Sequence, residues 1–412
     1  MALLQSPGRP IRRGAPAFML AVCCVVFTAV CAQTARADVI QNVLLTWRDL
    51  ASRCERPPYF ANEDGALLAV AMFEAINAIE KKYAPFGAIT PVKLPASPNV
   101  AAAQAAHDVL IHTCPANASL YTDALARALG EIKDTVARAN GVAVGRRAAA
   151  SVMAARSQSG VGRADLLPNT SQPGVYVQTA EYIGTNWASA QPWAMDKPEQ
   201  FRAPPLPSLT SDIWRRDIDE LRRVGGLVSD ARTAEQTELA RYWGQTGVRK
   251  ILPQLIGQPG RTLVDDARFL ALAEIAWADA YISLFEGKYH YAFWRPITAI
   301  RHAAVNGNLA ARSDSIWRPL LETPPHPEYP CGHCASVAAV GTVIAAEFGE
   351  QFPSVVIERG AFIHRYNSAQ QYIDAVSISR LYAGAHPQFS IDAGKASGVA
   401  VARLVMQRYF KK

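Results

Sequence analysis

Apolar residues recur along this chain mostly with the periodicity of helices. The clearest stretch, 262–285, repeats apolar side chains at three- and four-residue intervals: Leu263, Ala267, Leu270, Ala271, Ala278, Ile282 and Phe285. This spacing places them on one face of a long helix. Residues 66–80 are apolar almost all round, which predicts a helix buried on every side. Since no stretch alternates strongly enough to predict a strand, the pattern predicts an all-α protein.

Shorter apolar patterns predict further helices, separated by connections rich in proline, glycine and small polar residues. They fall at about 99–113, 118–138, 140–157, 210–224, 233–244 and 391–409. Gly141 and Gly145 are expected to mark the break between the second and third of these, and Thr233 and Gln236 have the spacing of a capping box. Residues 158–208 lack a sustained period, so we expect a long loop with short helical turns.

The N-terminus has the pattern of a secretory signal. A basic start is followed by an apolar run at 17–32, and Ala35 and Ala37 are the small residues that a signal peptidase prefers. The run is shorter than the roughly 20 residues that span a bilayer. We therefore expect a signal peptide over 1–37, cleaved after Ala37, and a single all-helical catalytic domain over 38–412. The mature protein is expected to be periplasmic or secreted, with no stable membrane span.

Cleavage of this segment changes the charge and the cysteine count. The mature chain would keep 38 basic and 35 acidic residues, a net charge of +3, which is too small to indicate nucleic acid or an anionic membrane as a partner. Four of the seven cysteines remain: Cys54, Cys114, Cys331 and Cys334. In an oxidising compartment an even number permits disulfides, and Cys54–Cys114 with Cys331–Cys334 is one of three connectivities.

A proline-rich stretch, 324–334, has the pattern of an anion-binding turn. Its four prolines stiffen an extended lead-in, and the apolar residues after His333 predict a helix. The first turn of a helix offers unpaired N–H groups and a positive dipole end to an anion. Gly332 would allow close approach of the backbone, and His333 would donate or accept a proton beside it.

Two further polar clusters, 288–296 and 379–386, contain the other groups that an oxyanion site needs. The cationic side chains are Lys288, Arg295 and Arg380. Their fixed positive charge suits a tetrahedral oxyanion. With His333 and His386, one imidazole could bond to the central atom while the other moves protons.

The three clusters, read in order, give K-x6-R-P, P-x-G-H and S-R-x5-H. This order resembles the signature of the vanadium-dependent haloperoxidases and of the type 2 phosphatidic acid phosphatase superfamily that shares their site. The flanking residues around Trp294 and Tyr329 resemble the bacterial haloperoxidase-like branch, and the resemblance extends over about 265–400. It implies helical bundles that hold a vanadate, or a phosphate at the same position.

The resemblance also implies a role for each residue. The oxyanion would be held by Lys288, Arg295, Cys331, Gly332 and Arg380. His386 would coordinate vanadium, or attack phosphorus in a phosphatase, and His333 would be its acid–base partner. The substrates would be hydrogen peroxide and a halide, or a phosphate ester. A homo-oligomer is compatible with this interpretation.

The sequence is therefore compatible with three functions. The first is a vanadium-dependent haloperoxidase-like enzyme, with bromide favoured because His326 lies where bromide-oxidising members tend to have histidine. The second is an acid phosphatase working through a phosphohistidine in the same pocket. The third is an inactive oxyanion-binding protein.

Two positions depart from the family pattern. Cys331 replaces the usual serine; a thiol is a weaker donor that peroxide oxidises, and a disulfide with Cys334 would remove the donor altogether. Ser390 stands where many relatives have an acid four residues after the last histidine. Asp392 or a backbone carbonyl is expected to orient His386 instead.

Overall fold

The computed structural model describes residues 43–55, 60–87, 92–159, 172–178, 180, 183–302, 313–349, 351–360 and 362–412. The predicted signal peptide, 1–37, lies outside them. The helices are α1 (43–52), α2 (Phe60–Glu80), α3 (Pro98–Thr113), α4 (Ala118–Gly130), α5 (Thr135–Ala155), α6 (Asp212–Val224), α7 (Ala234–Gln245), α8 (Leu263–Tyr291), α9 (Pro296–Arg301), α10 (Gly332–Phe348), α11 (Ala369–Tyr382) and α12 (Gln388–Arg408). The prediction of an all-α protein is confirmed.

Helix α8 is the centre of the packing. It is buried along most of its length and contacts α2, α10 and α12. Helix α12 lies close against α10, because Gly394 and Gly398 have no side chain where the α10 backbone passes; a Cβ at Gly398 would collide with the carbonyl of Ala335. This packing brings the end of α8 and the beginnings of α10 and α12 together.

Helix α8 is longer than its apolar pattern predicts. It continues to Tyr291 and ends where Ala292 adopts a left-handed conformation with φ of 46°. Lys288 therefore lies in the last turn of the helix, not after it. The predicted break at Gly141 and Gly145 is also wrong, because both lie inside α5, where missing side chains let it approach the backbone of α3.

An antiparallel hairpin was missed by the sequence pattern. Strands β1 (Gln351–Arg359) and β2 (Phe362–Ser368) pair with Val355 opposite Tyr366 and Ile357 opposite His364. Only one face is buried, so each strand contributes two or three inward side chains, too few to show an alternating pattern. The capping box of Thr233 and Gln236 is confirmed at the start of α7.

Both disulfides of one predicted connectivity are present. Cys54 is bonded to Cys114, and Cys331 to Cys334. Within the part of the chain that the structure describes, no helix combines the length and the apolarity that crossing a membrane requires. The prediction of a single catalytic domain over 38–412 stays a prediction.

Candidate oxyanion site

The three sequence clusters meet at the beginning of α10. The last turn of α8 brings Lys288, the cap of α9 brings Arg295, the end of α11 brings Arg380, and the loop before α12 brings His386. All four side chains are buried. The four side chains lie close enough to interact, because burial and then the charges of Lys288, Arg295 and Arg380 lower the pKa of His386.

Lys288 ties down the proline-rich loop. Its Nζ donates to the carbonyl oxygens of Pro327 at 3.0 Å, Glu328 at 2.7 Å and Pro330 at 2.7 Å. An ammonium has three donors, so these carbonyls use all of them. Burial, followed by Arg295, holds the pKa of Lys288 well below its usual value. A direct bond from Lys288 to an oxyanion would have to replace one of these hydrogen bonds, whereas its charge is available without that change.

Arg295 connects the same loop to the third cluster. Its Nε donates to the carbonyl of His326 at 2.7 Å, its Nη2 lies 2.9 Å from His326 Nδ1, and its Nη1 reaches the carbonyl of Ala385 at 3.4 Å. Burial lowers the pKa of Arg295 to about 10, which leaves it charged at neutral pH. The guanidinium is therefore both a local brace and a fixed positive charge.

Arg380 differs from the other two cations because its donors are unused. Its Nε and Nη1 atoms are buried and have no hydrogen-bond partner among the described residues. Burial lowers its pKa to about 10, so it remains charged at neutral pH. A buried guanidinium without a partner is costly to a fold. An oxyanion held between Arg380 and His386 would satisfy these donors, so the residues present fit such a group.

His386 is fixed by a carboxylate that the sequence pattern did not single out. Its Nδ1 lies 2.5 Å from Oε1 of Glu328, and both side chains are almost completely buried. With Nδ1 donating, the lone pair of Nε2 is available for a bond. Burial raises the pKa of Glu328 to about 7. Burial and the three cations hold the pKa of His386 well below its usual value, so its imidazole is neutral.

The expectation that Asp392 orients His386 is wrong. Asp392 is exposed and accepts a hydrogen bond from Gln388 at 2.9 Å. Glu328 could have been found from its place between prolines, where a stiff segment fixes a carboxylate beside the anion-binding turn. The sequence alone could not show that this turn faces His386.

His333 lies in the first turn of α10 and is half-buried. It donates a hydrogen bond to the backbone carbonyl of Trp243, near the end of α7. Burial, followed by Arg380 and Lys288, holds its pKa well below the usual value. The imidazole is therefore neutral and able to accept a proton.

The turn at the start of α10 has Cys331 where the family pattern has a serine. Cys331 caps α10, and its Sγ accepts a hydrogen bond from the N–H of Cys334 at 3.2 Å while it is also bonded to Cys334 Sγ. Its side chain has no hydrogen to donate to an oxyanion. Gly332 is the first residue of α10, so its N–H is one of those without an acceptor within the helix.

Fold and site together define a helical protein in which two neutral histidines and three cations lie in one buried site. Residues 268–412 match the family model of the VCPO second helical-bundle domain. All three sequence motifs lie inside this match. The predicted resemblance to the bacterial vanadium haloperoxidase-like family is confirmed.

Individual proteins named as vanadium peroxidases also resemble this chain. The chain is 29% identical over 179 residues to the vanadium chloroperoxidase of Curvularia inaequalis, a match covering 34% of this chain and 29% of that protein's length. A bacterial vanadium-dependent iodoperoxidase superposes with a TM-score of 0.72 at 22% identity, over 92% of this chain and 96% of its own. A holo-type bacterial vanadium-dependent chloroperoxidase gives a TM-score of 0.69 at 16% identity, over 86% and 94%. At these identities the superpositions show the fold alone.

Proposed function

We propose that this protein is a vanadium-dependent haloperoxidase-like enzyme that oxidises a halide with hydrogen peroxide at a vanadate bound by His386. The observation that carries the proposal is the Arg380 guanidinium, whose buried Nε and Nη1 have no hydrogen-bond partner among the described residues, near a histidine whose Nδ1 lies 2.5 Å from a carboxyl oxygen. Together they offer an oxyanion two donors and one metal-binding nitrogen. The relatives, which are named as vanadium peroxidases, support the same group.

Each residue has a distinct part in this proposal. Arg380 would donate directly to oxyanion oxygens, joined by the N–H of Gly332, while Lys288 and Arg295 supply charge. When bound, vanadate would supply a Lewis acid toward peroxide. His333 would take a proton from hydrogen peroxide, since burial and then the cations around it keep it neutral.

We propose bromide as the preferred halide because of His326. This side chain is half-buried beside Arg295, and its ring packs edge-on against Phe285 at 5.5 Å between centroids. Competition between chloride, bromide and iodide at equal concentration tests this choice. Preference for iodide or chloride would contradict it, and the solved relatives include one enzyme named for each.

A phosphatase is the second candidate, because the Glu328–His386 pair suits a nucleophilic histidine as well as a metal-binding one. A histidine backed by a carboxylate is an activated nucleophile, and phosphate has the shape and charge of vanadate. A phosphatase would use a protonated His333 to donate to the leaving group. Burial, followed by Arg380 and Lys288, lowers the pKa of His333 in the ligand-free protein, which disfavours the protonated form that a phosphatase needs.

One experiment separates the candidate functions. Mature protein is assayed for bromination with vanadate and hydrogen peroxide, and for hydrolysis of a phosphate ester without vanadate. Bromination that disappears in His386→Ala is the expected result. Hydrolysis alone, inhibited by vanadate, would establish the phosphatase. Neither activity, together with retained phosphate binding, would indicate the inactive oxyanion-binding protein.

We also propose that the mature protein is periplasmic or secreted. Its two disulfides support this location, because disulfides persist mainly in oxidising compartments. Fractionation of cells that express the full chain, with sequencing of the mature N-terminus, tests both the location and cleavage after Ala37.

A further inference from the structure

We infer that Glu328 is the positioning residue of His386: its carboxylate fixes the Nδ1–H tautomer and directs Nε2 toward the oxyanion. The inference rests on the proposed function, because that function gives His386 the bond to the oxyanion. It is based on the 2.5 Å separation of Glu328 Oε1 and His386 Nδ1, between side chains that are 1% and 3% exposed.

The segment that carries Glu328 is held on both sides. The N–H of Glu328 donates to the carbonyl of Phe293 at 2.9 Å, and its own carbonyl accepts from Lys288 at 2.7 Å. Lys288 also holds the carbonyls of Pro327 and Pro330. The carboxylate is therefore delivered by a backbone that is already ordered, and little additional entropy is lost when it holds the imidazole.

The two histidines of the site have different kinds of acceptor. Nδ1 of His386 faces the carboxyl group of Glu328, whereas His333 donates to the neutral carbonyl of Trp243. A carboxylate acceptor raises the basicity of the opposite ring nitrogen and makes it a better ligand or nucleophile. This difference assigns the bond to the oxyanion to His386 and leaves proton transfer to His333.

The other side chains considered as partners of His386, Ser390 and Asp392, do not bond to it. Ser390 is buried at the position four residues after it, and its hydroxyl makes no hydrogen bond of normal geometry within the described chain, although it is near enough to lower the pKa of Glu328. Asp392 is exposed and bonded to Gln388. Oε2 of Glu328 is also buried and makes no hydrogen bond of normal geometry with the described residues. The carboxylate is thus held toward the site and not toward solvent.

The test compares Glu328→Gln with the unaltered mature protein in the absence of vanadate. Two-bond ¹H–¹⁵N correlation spectra of ¹⁵N-histidine-labelled protein report the tautomer, with His386 identified from the spectrum of His386→Gln. We expect the Nδ1–H tautomer in the unaltered protein and a mixture in Glu328→Gln. Calorimetric titration with inorganic phosphate is expected to show affinity about 10- to 100-fold lower in the variant.

Glu74→Gln is the matched control, because Glu74 is another buried carboxyl and accepts from the N–H of Phe86 in a different part of the fold. It is expected to change neither the tautomer of His386 nor phosphate affinity. Should Glu328→Gln fold poorly, Glu328→Asp keeps the charge with a shorter reach. It is expected to retain the tautomer partly and to bind phosphate with intermediate affinity.

Three results would decide between the positioning role of Glu328 and the proposed function. An unchanged Nδ1–H tautomer in Glu328→Gln, with phosphate affinity within about twofold, would overturn the inference. A tautomer that depends on Glu328 in a protein without halide oxidation or ester hydrolysis would refute the proposed function while the positioning role stands. Halide oxidation or ester hydrolysis, in a protein whose His386 tautomer does not depend on Glu328, would refute the positioning role while the proposed function stands.

Discussion

Cys331 and Cys334 form a disulfide across the first turn of α10, at the position where the family pattern has a serine. Both sulfur atoms belong to fully buried residues. Cys331 Sγ accepts from the N–H of Cys334, so it takes over the capping role that a serine hydroxyl would have. The exchange keeps the helix cap and removes one donor from the oxyanion site.

Restoring that donor should tighten oxyanion binding. In Cys331→Ser/Cys334→Ala, the hydroxyl can donate to a bound phosphate, and a charge-assisted hydrogen bond is worth about 1.5–3 kcal/mol. We expect phosphate affinity to rise by about 10- to 100-fold, measured by calorimetry. Loss of the short disulfide loop should lower the free energy of unfolding by about 2 kcal/mol in urea titrations. Unchanged affinity would mean that residue 331 does not face the oxyanion.

Arg380→Met should abolish phosphate binding without destabilising the ligand-free protein. Two buried nitrogens of the guanidinium have no hydrogen-bond partner in the described part of the chain, so removing it takes away a desolvation cost as well as a charge. We expect phosphate affinity to fall at least about 100-fold and the free energy of unfolding to stay equal or rise.

Arg156→Met is the contrasting variant for that prediction. Arg156 is also buried, but it donates to Glu63 at 2.9 Å and to the carbonyls of Pro192 and Gln191 at 2.9 and 2.7 Å. Its loss should cost about 3–5 kcal/mol of stability and leave phosphate affinity unchanged. A comparable loss of stability in Arg380→Met would show that Arg380 has structural partners.

Gly332→Ala should weaken oxyanion binding while the fold is kept. An added Cβ would lie 3.5 Å from Leu284 and 3.7 Å from Lys288, which are ordinary contacts. The methyl group would nevertheless occupy space beside the free N–H. We expect stability to change by less than about 1 kcal/mol and phosphate affinity to fall by about tenfold.

Gly398→Ala is the control, because this glycine substitution should destabilise the fold. Its added Cβ would collide with the backbone of Ala335, so α10 and α12 would have to separate. We expect a loss of about 1–3 kcal/mol or more in urea unfolding. If Gly332→Ala proved equally destabilising, a purely structural role would explain that glycine.

Asp279 predicts a pH dependence of stability. It accepts from the N–H groups of Trp193, Ala194 and Met195, and burial raises its pKa to about 6 from an ordinary 3.8. The folded protein therefore binds a proton that the unfolded chain has released between about pH 4 and pH 6. This contribution to stability is complete below pH 3.8 and disappears as the pH rises through 6.

The comparison is with Asp279→Asn, which does not titrate. From about pH 3.5 to pH 6.5, the difference in unfolding free energy, unaltered protein minus variant, should fall by about 3 kcal/mol. Urea titrations at intervals across this range measure it. A difference that stays constant with pH would show that the three N–H groups keep the carboxylate ionised in the fold.

The all-α class and most helices were predictable from the sequence because apolar spacing reports directly which side of a helix is buried. The hairpin of 351–368 was not, since its two short strands bury few side chains each. Gly141 and Gly145 were misread for a related reason. A glycine in a helix marks either a break or a close helix contact, and only the position of α3 decides between them.

The residues of the candidate site were also predictable from the sequence only in part. The sequence by itself determined the cations and the two histidines, because their spacing within three short motifs is local: Lys288, Arg295, Arg380, His333 and His386. Tertiary structure alone decided which donors are in use, that Lys288 is bonded to three carbonyls, and that Glu328 lies against His386 across 58 residues of chain. Partners so distant in sequence are brought together by the packing of α8, α10 and α12, and no local pattern records that packing.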